Sequence, residues 1–221
     1  MMLSYSAAFF HGRCTMSVRI TWLGHASVLI SSQEKSIYID PWKVEPTSPK
    51  ADIILVTHDH FDHYSEEDIR LLSTDATRVV CPVEVTLATD RIAPGMTRSI
   101  TGVSIQAIPA YNLDKEFHPR ENNWVGYVVE ISGTTIYHTG DTDRIPEMKG
   151  MEVDVLLLPV GGTYTMDARQ ASEVLQDLKA SHVIPIHFGD IVGSIEDAQA
   201  FSAQCPVAVH ILNEGGSFSL D

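Results

Sequence analysis

Short apolar runs separated by polar breaks cover the first third of the chain. Strand-like patterns occur in VRITWLG, SVLISS and SIYID, and the short breaks between them predict an antiparallel meander. The next run, ADIILVT, is continuously apolar, which is typical of a strand buried on both faces. A helix is then predicted for SEEDIRLLS, with Ser65 as its N-cap and Asp68 three residues later.

The rest of the chain alternates between strand-like and helical patterns. Strands are predicted for RVVCPV, SITGVSIQAIPA, WVGYVVEISG, TTIYHT, VDVLLLPVGG, HVIPIHFG and, last, VAVHILNEGGSFSL. Helical spacing predicts a helix in DARQASEVLQDLKA, capped by Asp167, and a second capped helix in SIEDAQAFSAQ. Meanders joined to strand-helix-strand units imply two sheets packed face to face with helices outside. We therefore expect the α/β (α+β) class and a four-layer αββα sandwich.

Chain length and composition favour a single domain. The 221 residues are 44% hydrophobic, which is enough for a sizeable core. Residues 1–15 match no strand or helix pattern, so we predict a disordered leader or an extension produced by the choice of start site. The expected domain therefore spans residues 16–221.

Charge and cysteine usage limit the partners and the compartment. With 15 basic and 29 acidic residues the net charge is −14, which predicts no nucleic-acid partner because such binding needs Lys and Arg to neutralise phosphates. Apolar stretches in the sequence stay well short of the roughly 20 residues of a membrane span, so we expect no membrane association. Three cysteines far apart, Cys14, Cys81 and Cys205, form no CxxC pair and fit a reducing, cytoplasmic location.

Potential metal ligands are concentrated in THDHFDHY, directly after the predicted buried strand. Alternate side chains of an extended segment share a face, so His58 and His60 are expected to point to one side and Asp59 to the other. Asp62 and His63 then face a neighbouring point. Imidazole together with carboxylate suits Zn²⁺, Mn²⁺ or Fe²⁺. A polar loop is the ordinary alternative for one or two histidines, but four candidate ligands favour a metal site.

This segment resembles the first metal motif of the metallo-β-lactamase superfamily, HxHxDH. The motif is matched by His58, His60, Asp62 and His63. The resemblance extends from Val18 to Asp221 and implies the fold expected above.

Later superfamily ligands are also matched in order. A further histidine, a bridging aspartate and a last histidine correspond to His118 in KEFHPRENN, Asp141 in HTGDTD and His187 in IPIHFG. The surroundings of His118 differ from the glycine-flanked motif of the lactamases. By implication one metal ion is held by His58, His60 and His118, and the other by Asp62, His63 and His187, with Asp141 bridging.

The activity that this resemblance implies is metal-dependent hydrolysis. The stretches AYN, FHP, GDTDRIPEM and LPVGGTYTM resemble the small stand-alone hydrolases related to ascorbate-phosphate lactonase. The expected cofactors are two divalent ions, Zn²⁺ first and Mn²⁺ or Fe²⁺ as alternatives. Hydroxide activated by both ions would attack an ester, lactone or phosphoester of a small substrate, for which an anionic group is one option. Asp62 would orient or deprotonate the attacking water.

Several other residues are candidates for supporting roles. His25, in TWLGHAS, is a second catalytic candidate that could donate to a substrate, with a packed histidine as the alternative. Asp40 could accept a proton from a ligand histidine and set its tautomer, or it could be a turn aspartate before Pro41. Lys115 and Arg120 could attract an anionic substrate or be solvated loop charges.

The remaining histidines and aromatic residues are interpreted more simply. Apolar pocket lining is predicted for Trp42, Trp124 and Tyr164. Structural roles are predicted for the histidines inside or beside strands: His138, His182 and His210.

Other functions stay open on the same fold. One is a non-catalytic metal-binding or sensor protein, and another is a phosphodiesterase or nuclease-like member. We expect a small-molecule substrate as the partner, and a homo-oligomer because small cytosolic enzymes commonly associate.

Overall fold

The computed structural model describes residues 17–220 of the chain. The expected leader, residues 1–15, lies outside the described residues. Among the helices of the described part, none has the length and apolar character needed to cross a membrane.

The strands of the described residues form two seven-stranded sheets. The first sheet contains β1 (Val18–Gly24), β2 (Ser27–Ser31), β3 (Ser36–Ile39), β4 (Ile53–Leu55), β5 (Arg78–Cys81) and β6 (Asp90–Arg91). The second contains β7 (Thr97–Ile100), β8 (Val103–Pro109), β9 (Val125–Ile131), β10 (Thr134–His138), β11 (Glu152–Pro159), β12 (Lys179–Ile186) and β13 (Ala208–Val209). The last strand, β14 (Ser217–Leu220), returns to the first sheet beside β1.

Each sheet is half antiparallel and half parallel. The strand orders are β14-β1-β2-β3-β4-β5-β6 and β13-β12-β11-β10-β9-β8-β7. In the first sheet β1, β2 and β3 form the predicted antiparallel meander, and β4 then pairs parallel to β3. In the second, β8, β9 and β10 are antiparallel, and β11 pairs parallel to β10. Each parallel region brings the carboxyl ends of neighbouring strands to one edge, where ligand sites form in such sheets.

Helices cover the outer faces, so the four-layer αββα sandwich is confirmed. They are α1 (Glu66–Leu72), α2 (Ala168–Glu173) and α3 (Ile195–Gln204), with 3₁₀ turns at Arg120–Asn122, Pro146–Met148 and Val174–Gln176. Ser65 is the N-cap of α1 and accepts from the Asp68 backbone N–H, and Asp167 caps α2 in a capping box. The Asp68 carboxylate instead accepts backbone N–H groups of Lys43 and Val44, which anchors the loop after β3.

Strand β4 shows how the apolar run before the metal loop is used. Ile53 and Leu55 belong to the core between the sheets, whereas Ile54 belongs to a separate outer cluster with Ile69 of α1. All three β4 residues are fully buried. Packing on both faces therefore fixes the strand. Because Thr57 and the metal loop follow it closely, their positions are fixed as well.

Two strand predictions were wrong in extent. The run VAVHILNEGGSFSL is two strands in different sheets, because a turn at Gly215, with φ of +75°, separates β13 from β14. The run SITGVSIQAIPA is a hairpin of β7 and β8, whose turn residues Thr101 and Gly102 both have positive φ. Positive φ at both central residues is the geometry of a tight hairpin turn.

Candidate metal centre

The candidate ligands lie in loops that follow or precede strands at one edge of the sandwich. They are His58, His60, Asp62 and His63 after β4, His118 before β9, Asp141 after β10 and His187 after β12. Residues more than a hundred positions apart in the sequence therefore meet in one place.

His58, His60 and His118 form the first group of ligand atoms. One nitrogen from each ring lies within 4.8 Å of the other two, and His58 Nε2 is 3.1 Å from His60 Nδ1. Burial lowers the pKa of His58 well below its ordinary value, so its ring is neutral and its lone pair is available. As expected from the alternation, Asp59 points away from this group, and it accepts a hydrogen bond from Trp124 Nε1 at 3.0 Å.

Asp62, His63 and His187 form the second group, and the structure adds His25 to it. All four side chains are buried. The Asp62 Oδ2 atom lies 3.0 Å from His25 Nε2 and 3.7 Å from His63 Nε2. Burial raises the pKa of Asp62, but the hydrogen bond with His25 and the charge of His63 outweigh it and lower the pKa overall. Asp62 is therefore an ionised carboxylate.

Asp141 lies between the two groups. Its Oδ2 is 3.2 Å from His118 Nε2 and 3.0 Å from His187 Nε2, and its Oδ1 is 3.5 Å from His63 Nε2. Burial alone would raise the pKa of Asp141, yet the charges of His187 and His63 hold that pKa well below its usual range. One carboxylate thus contacts histidines of both groups, which is the position that a bridging ligand needs.

The chemistry of this donor set fits a metal better than it fits a hydrogen-bonded core. Buried polar groups are almost always hydrogen-bonded. Among the described residues, eight buried side-chain nitrogen and oxygen atoms lack a partner, and six of them belong to this cluster. These six are His25 Nδ1, His63 Nε2, His118 Nε2, Asp141 Oδ1 and both ring nitrogens of His187. Three of them, the Nε2 atoms of His63, His118 and His187, face the Asp141 carboxylate at 3.0–3.5 Å, as the ligands of a shared cation site would.

Thr57 and Asp40 set the protonation of two of these rings. His63 Nδ1 is 2.7 Å from Asp40 Oδ2, so the Nδ1–H donates to the carboxylate and Nε2 is directed into the cluster. Burial would lower the pKa of His63, but the charges of Asp141 and Asp40 raise it well above its ordinary value, so Nε2 would give up its proton to bind a metal. Thr57 donates its backbone N–H and its hydroxyl to the same carboxylate. Because the hydroxyl proton is used there, Thr57 Oγ1 accepts from His58 Nδ1 at 2.9 Å. The predicted role of Asp40 therefore agrees with the geometry.

Asn112 does the same for His118. Its Oδ1 accepts from the His118 backbone N–H at 3.0 Å and lies 3.1 Å from His118 Nδ1, which leaves Nε2 facing Asp141. The Trp124 ring packs against His58, His60 and His118 at centroid distances of 4.9, 4.7 and 5.6 Å. Packing against Trp124 thus restricts the orientation of all three histidines in the first group.

The backbone around the centre is strained. His25, Asp40 and His187 have φ of +48°, +48° and +58°, a region that costs non-glycine residues roughly 1–3 kcal/mol each. Gly161 permits the turn at His187, because a Cβ at Gly161 would lie 2.3 Å from the His187 carbonyl oxygen. Such strain is concentrated at functional sites, where surrounding contacts must over-determine it.

Comparison with known proteins decides the family. Residues 19–187 match the family described as the β-lactamase superfamily domain. A UPF0173 metal-dependent hydrolase of Thermococcus kodakarensis is 33% identical over 204 residues, which cover 83% of this chain and 90% of the relative. The chain belongs to the metallo-β-lactamase superfamily.

Further relatives agree with this assignment. A UPF0173 metal-dependent hydrolase of Methanosphaerula palustris is 31% identical over 92% of this chain and 100% of its own length. A solved structure of a protein from Parabacteroides distasonis has a TM-score of 0.77 and 30% identity. It covers 89% of this chain and 93% of that chain. The protein is therefore a metal-dependent hydrolase, and its kinship with ascorbate-phosphate lactonase stays a prediction.

In this hydrolase the position of His25 favours a positioning role. Its Nε2 faces Asp62, and its ring lies 4.0 Å from the His187 ring. Its backbone carbonyl accepts from Trp22 Nε1 and from the His187 backbone N–H, both at 2.8 Å. His25 and Trp42 line a separate cavity, not the one that opens onto the other ligands. The direct catalytic role predicted for His25 stays a prediction.

The two basic residues beside His118 are engaged in ion pairs. Lys115 Nζ is 2.6 Å from Asp143, and an Arg120 guanidinium nitrogen is 2.8 Å from Glu147. Arg120 also lies over the Tyr111 ring at 4.8 Å. The loop before β9 is therefore fastened by these charges.

The other histidines occupy the structural positions expected for them. His138 is buried in β10, and its Nε2 lies 2.9 Å from the Ala26 carbonyl oxygen. His182 and His210 contact each other at 3.1 Å between Nδ1 and Nε2.

Three features of the site were missed from the sequence. Thr57 and Asn112 orient ligand histidines, and Phe117 lines the cavity over the centre. The role of Asn112 could have been predicted, because Asn112 precedes His118 by only six residues. A short loop can bring two residues at that spacing into contact. Thr57 lies directly beside His58, yet threonine is too common at strand ends to mark a role by itself.

Proposed function

We propose that the protein hydrolyses an ester or a lactone by means of two divalent metal ions, with Zn²⁺ as the expected metal. The observation that carries the proposal is the contact of Asp141 with His118 on one side and with His63 and His187 on the other. In this proposal the first ion is held by His58, His60 and His118, and the second by Asp62, His63 and His187, with Asp141 shared.

The chain's own residues would supply the positioning. When bound, two divalent ions provide a hydroxide nucleophile at neutral pH and polarise the scissile oxygen. Asp62, an ionised carboxylate that lines the cavity, would orient the attacking water and accept its proton. His25 holds Asp62 from behind through the 3.0 Å contact, so the carboxylate keeps its direction. Asp40 and Thr57 keep the rings of His63 and His58 in the tautomers that expose Nε2.

The substrate enters through a cavity of about 270 Å³ that opens onto both ligand groups. It is lined by His60, Asp62, His118, Asp141 and His187, together with the rim residues Phe61, Phe117, Tyr164 and Ile191. This volume supports the proposal of a small-molecule substrate. A cytoplasmic location, the lack of a nucleic-acid or membrane partner and a homo-oligomeric state stay predictions.

A hydrolysis screen tests the proposal. Protein stripped with a chelator and reloaded with two equivalents of Zn²⁺ is assayed with dihydrocoumarin, 4-nitrophenyl acetate and bis(4-nitrophenyl) phosphate. We expect turnover of the lactone or the carboxylic ester, lost on chelation and restored by Zn²⁺. A preference for the phosphate diester would favour the phosphodiesterase alternative. A protein that carries two ions and hydrolyses none of the three would favour the non-catalytic metal-binding or sensor alternative.

A further inference from the structure

Exposed apolar side chains gather at the mouth of the cavity. Phe61 is 70% exposed, and Phe117 and Ile191 are each 47% exposed. All three line the cavity that contains the candidate ligands. They account for half of the six large apolar residues that are exposed among the described residues. Single exposed apolar residues need no explanation, but a cluster around a concave polar site is typical of a ligand surface.

Aromatic contacts hold this rim in a preformed shape. Phe117 meets Tyr164 edge to face, with ring centroids 4.8 Å apart and an angle of 90°. Phe61 meets Trp42 edge to face at 6.1 Å and 78°. Edge-to-face pairs at these distances are favourable. Two aromatic pairs therefore hold Phe61 and Phe117 in place at the cavity rim.

The charges around the mouth do not favour an anionic substrate. Apart from histidine, no residue among the described residues that line the cavity is basic. Of the nearby cations, Lys43 pairs with Asp190, next to Ile191, and Lys115 pairs with Asp143. The net charge of −14 adds long-range repulsion of anions. The anionic substrate considered from the sequence therefore lacks a recognising cation outside the metal centre.

We infer that the protein acts on uncharged substrates with an aromatic or aliphatic group, and that Phe61, Phe117 and Ile191 bind this group beside the metal centre. The inference rests on the proposed function, which supplies the reaction at the polar floor of the cavity. When a hydrocarbon group of the substrate packs against the apolar rim, both surfaces lose their contact with water. This hydrophobic effect favours binding and does not need a charged group on the substrate. Selectivity among esters and lactones then follows from the apolar group rather than from a phosphate or carboxylate.

Two thiol ligands separate the apolar contribution from metal binding. Phenylmethanethiol and mercaptoacetate both offer a sulfur ligand, but one carries an aromatic ring and the other a carboxylate. Dissociation constants are measured by calorimetry on the zinc-loaded full chain, and metal content is measured on the same samples. The variants are Phe61→Ala, Phe117→Ala and their combination. Met96→Ala is the control, because Met96 is 40% exposed but does not line this cavity.

Because mercaptoacetate can bind zinc through both sulfur and carboxylate, each thiol is compared between variants rather than with the other thiol. The double variant should weaken phenylmethanethiol about tenfold, a size consistent with the loss of a few apolar contacts, and leave mercaptoacetate unchanged. Met96→Ala should change neither constant. An unchanged constant for phenylmethanethiol in the double variant, or an equal loss for mercaptoacetate, would overturn the inference. A change of oligomeric state in the double variant with unchanged thiol binding would also overturn it, because the rim would then serve subunit contact.

A second measurement does not depend on the metal. Nile red, an uncharged apolar dye, is titrated into the full chain with and without zinc, and its fluorescence is recorded. The wild type and Met96→Ala should enhance the fluorescence equally, and the double variant should lose most of the enhancement. Failure to retain two zinc ions, with the dye result intact, would refute the proposed function alone. Equal enhancement by all variants, with two zinc ions bound, would refute the apolar site alone.

Discussion

The Nδ1 atom of His63 lies 2.7 Å from Oδ2 of Asp40, and both side chains are fully buried. This contact fixes which nitrogen of His63 would keep its proton when a metal binds, and it directs Nε2 at Asp141, 3.5 Å away. A residue that binds no metal itself therefore determines whether a ligand is presented correctly. The sequence indicated this role only as one of two alternatives for Asp40.

Replacement of Asp40 tests this relationship. Asp40→Asn should lower zinc affinity about 10–100-fold, the range typical of residues that orient a metal ligand, because the amide is a weaker partner for His63 Nδ1–H. Asparagine tolerates the φ of +48° at this position, so the backbone should not change. Zinc affinity is measured by competition with a chelating dye.

A matched control exists in the second sheet. Asp154 accepts the backbone N–H and the hydroxyl of Thr135, as Asp40 accepts those of Thr57, but no histidine contact is found for Asp154 among the described residues. Asp154→Asn should therefore leave zinc affinity unchanged. Equal losses in the two variants would mean that Asp40 acts through general stability rather than through His63.

Removal of the shared carboxylate should cost metal. Asp141→Ala is expected to bind at most one zinc ion per chain, because Asp141 is the residue that contacts histidines of both groups. The variant also loses the carboxylate that contacts His63, His118 and His187. Elemental analysis gives the metal content, and circular dichroism shows that the fold is retained. A folded variant with two bound ions would refute the bridging role.

We predict that His187 can occupy its position only because residue 161 is a glycine without a side chain. Gly161→Ala should lower stability by about 1–3 kcal/mol, as overpacking does, and weaken zinc binding, because its Cβ would lie 2.3 Å from the His187 carbonyl oxygen. Gly216→Ala is the control, since its Cβ would meet the Asn213 carbonyl oxygen at 2.7 Å. Denaturant unfolding and zinc competition should show a stability loss in both variants but an affinity loss only in the first.

Metal removal should lower the melting temperature. Ligand present at about 1,000 times its Kd stabilises the folded state by about 4 kcal/mol. For a chain of this size that corresponds to a decrease in Tm of about 8–16 °C when the ion is removed. Differential scanning calorimetry with and without chelator measures the shift. The shift should shrink in Asp141→Ala, and a wild-type Tm unaffected by chelator would argue against a buried metal site.

Local patterns were sufficient for most of the strands and for the side-chain directions in the metal loop. The alternation in THDHFDHY predicts His58 and His60 on one side, and the structure has them there because β4 enters the loop in an extended conformation. Ser65 and Asp167 were found because capping depends on residues only three positions away. Such features depend on neighbours in sequence, so a single sequence contains the information.

Features that depend on tertiary packing were not predictable in the same way. The segment from Val207 to Leu220 looks like one strand, but its two ends pair with different sheets. The apolar rim was also missed, because Phe61, Phe117 and Ile191 come from three separate loops whose side chains meet only after folding. No spacing in the sequence marks them as neighbours.

The central claim is that seven side chains hold two metal ions on either side of Asp141. Anomalous diffraction at the zinc absorption edge, from crystals of the zinc-loaded protein, tests it most directly. The account predicts two anomalous peaks about 3.5–4 Å apart, one beside His58, His60 and His118 and the other beside Asp62, His63 and His187. A single peak, or peaks away from Asp141, would contradict it.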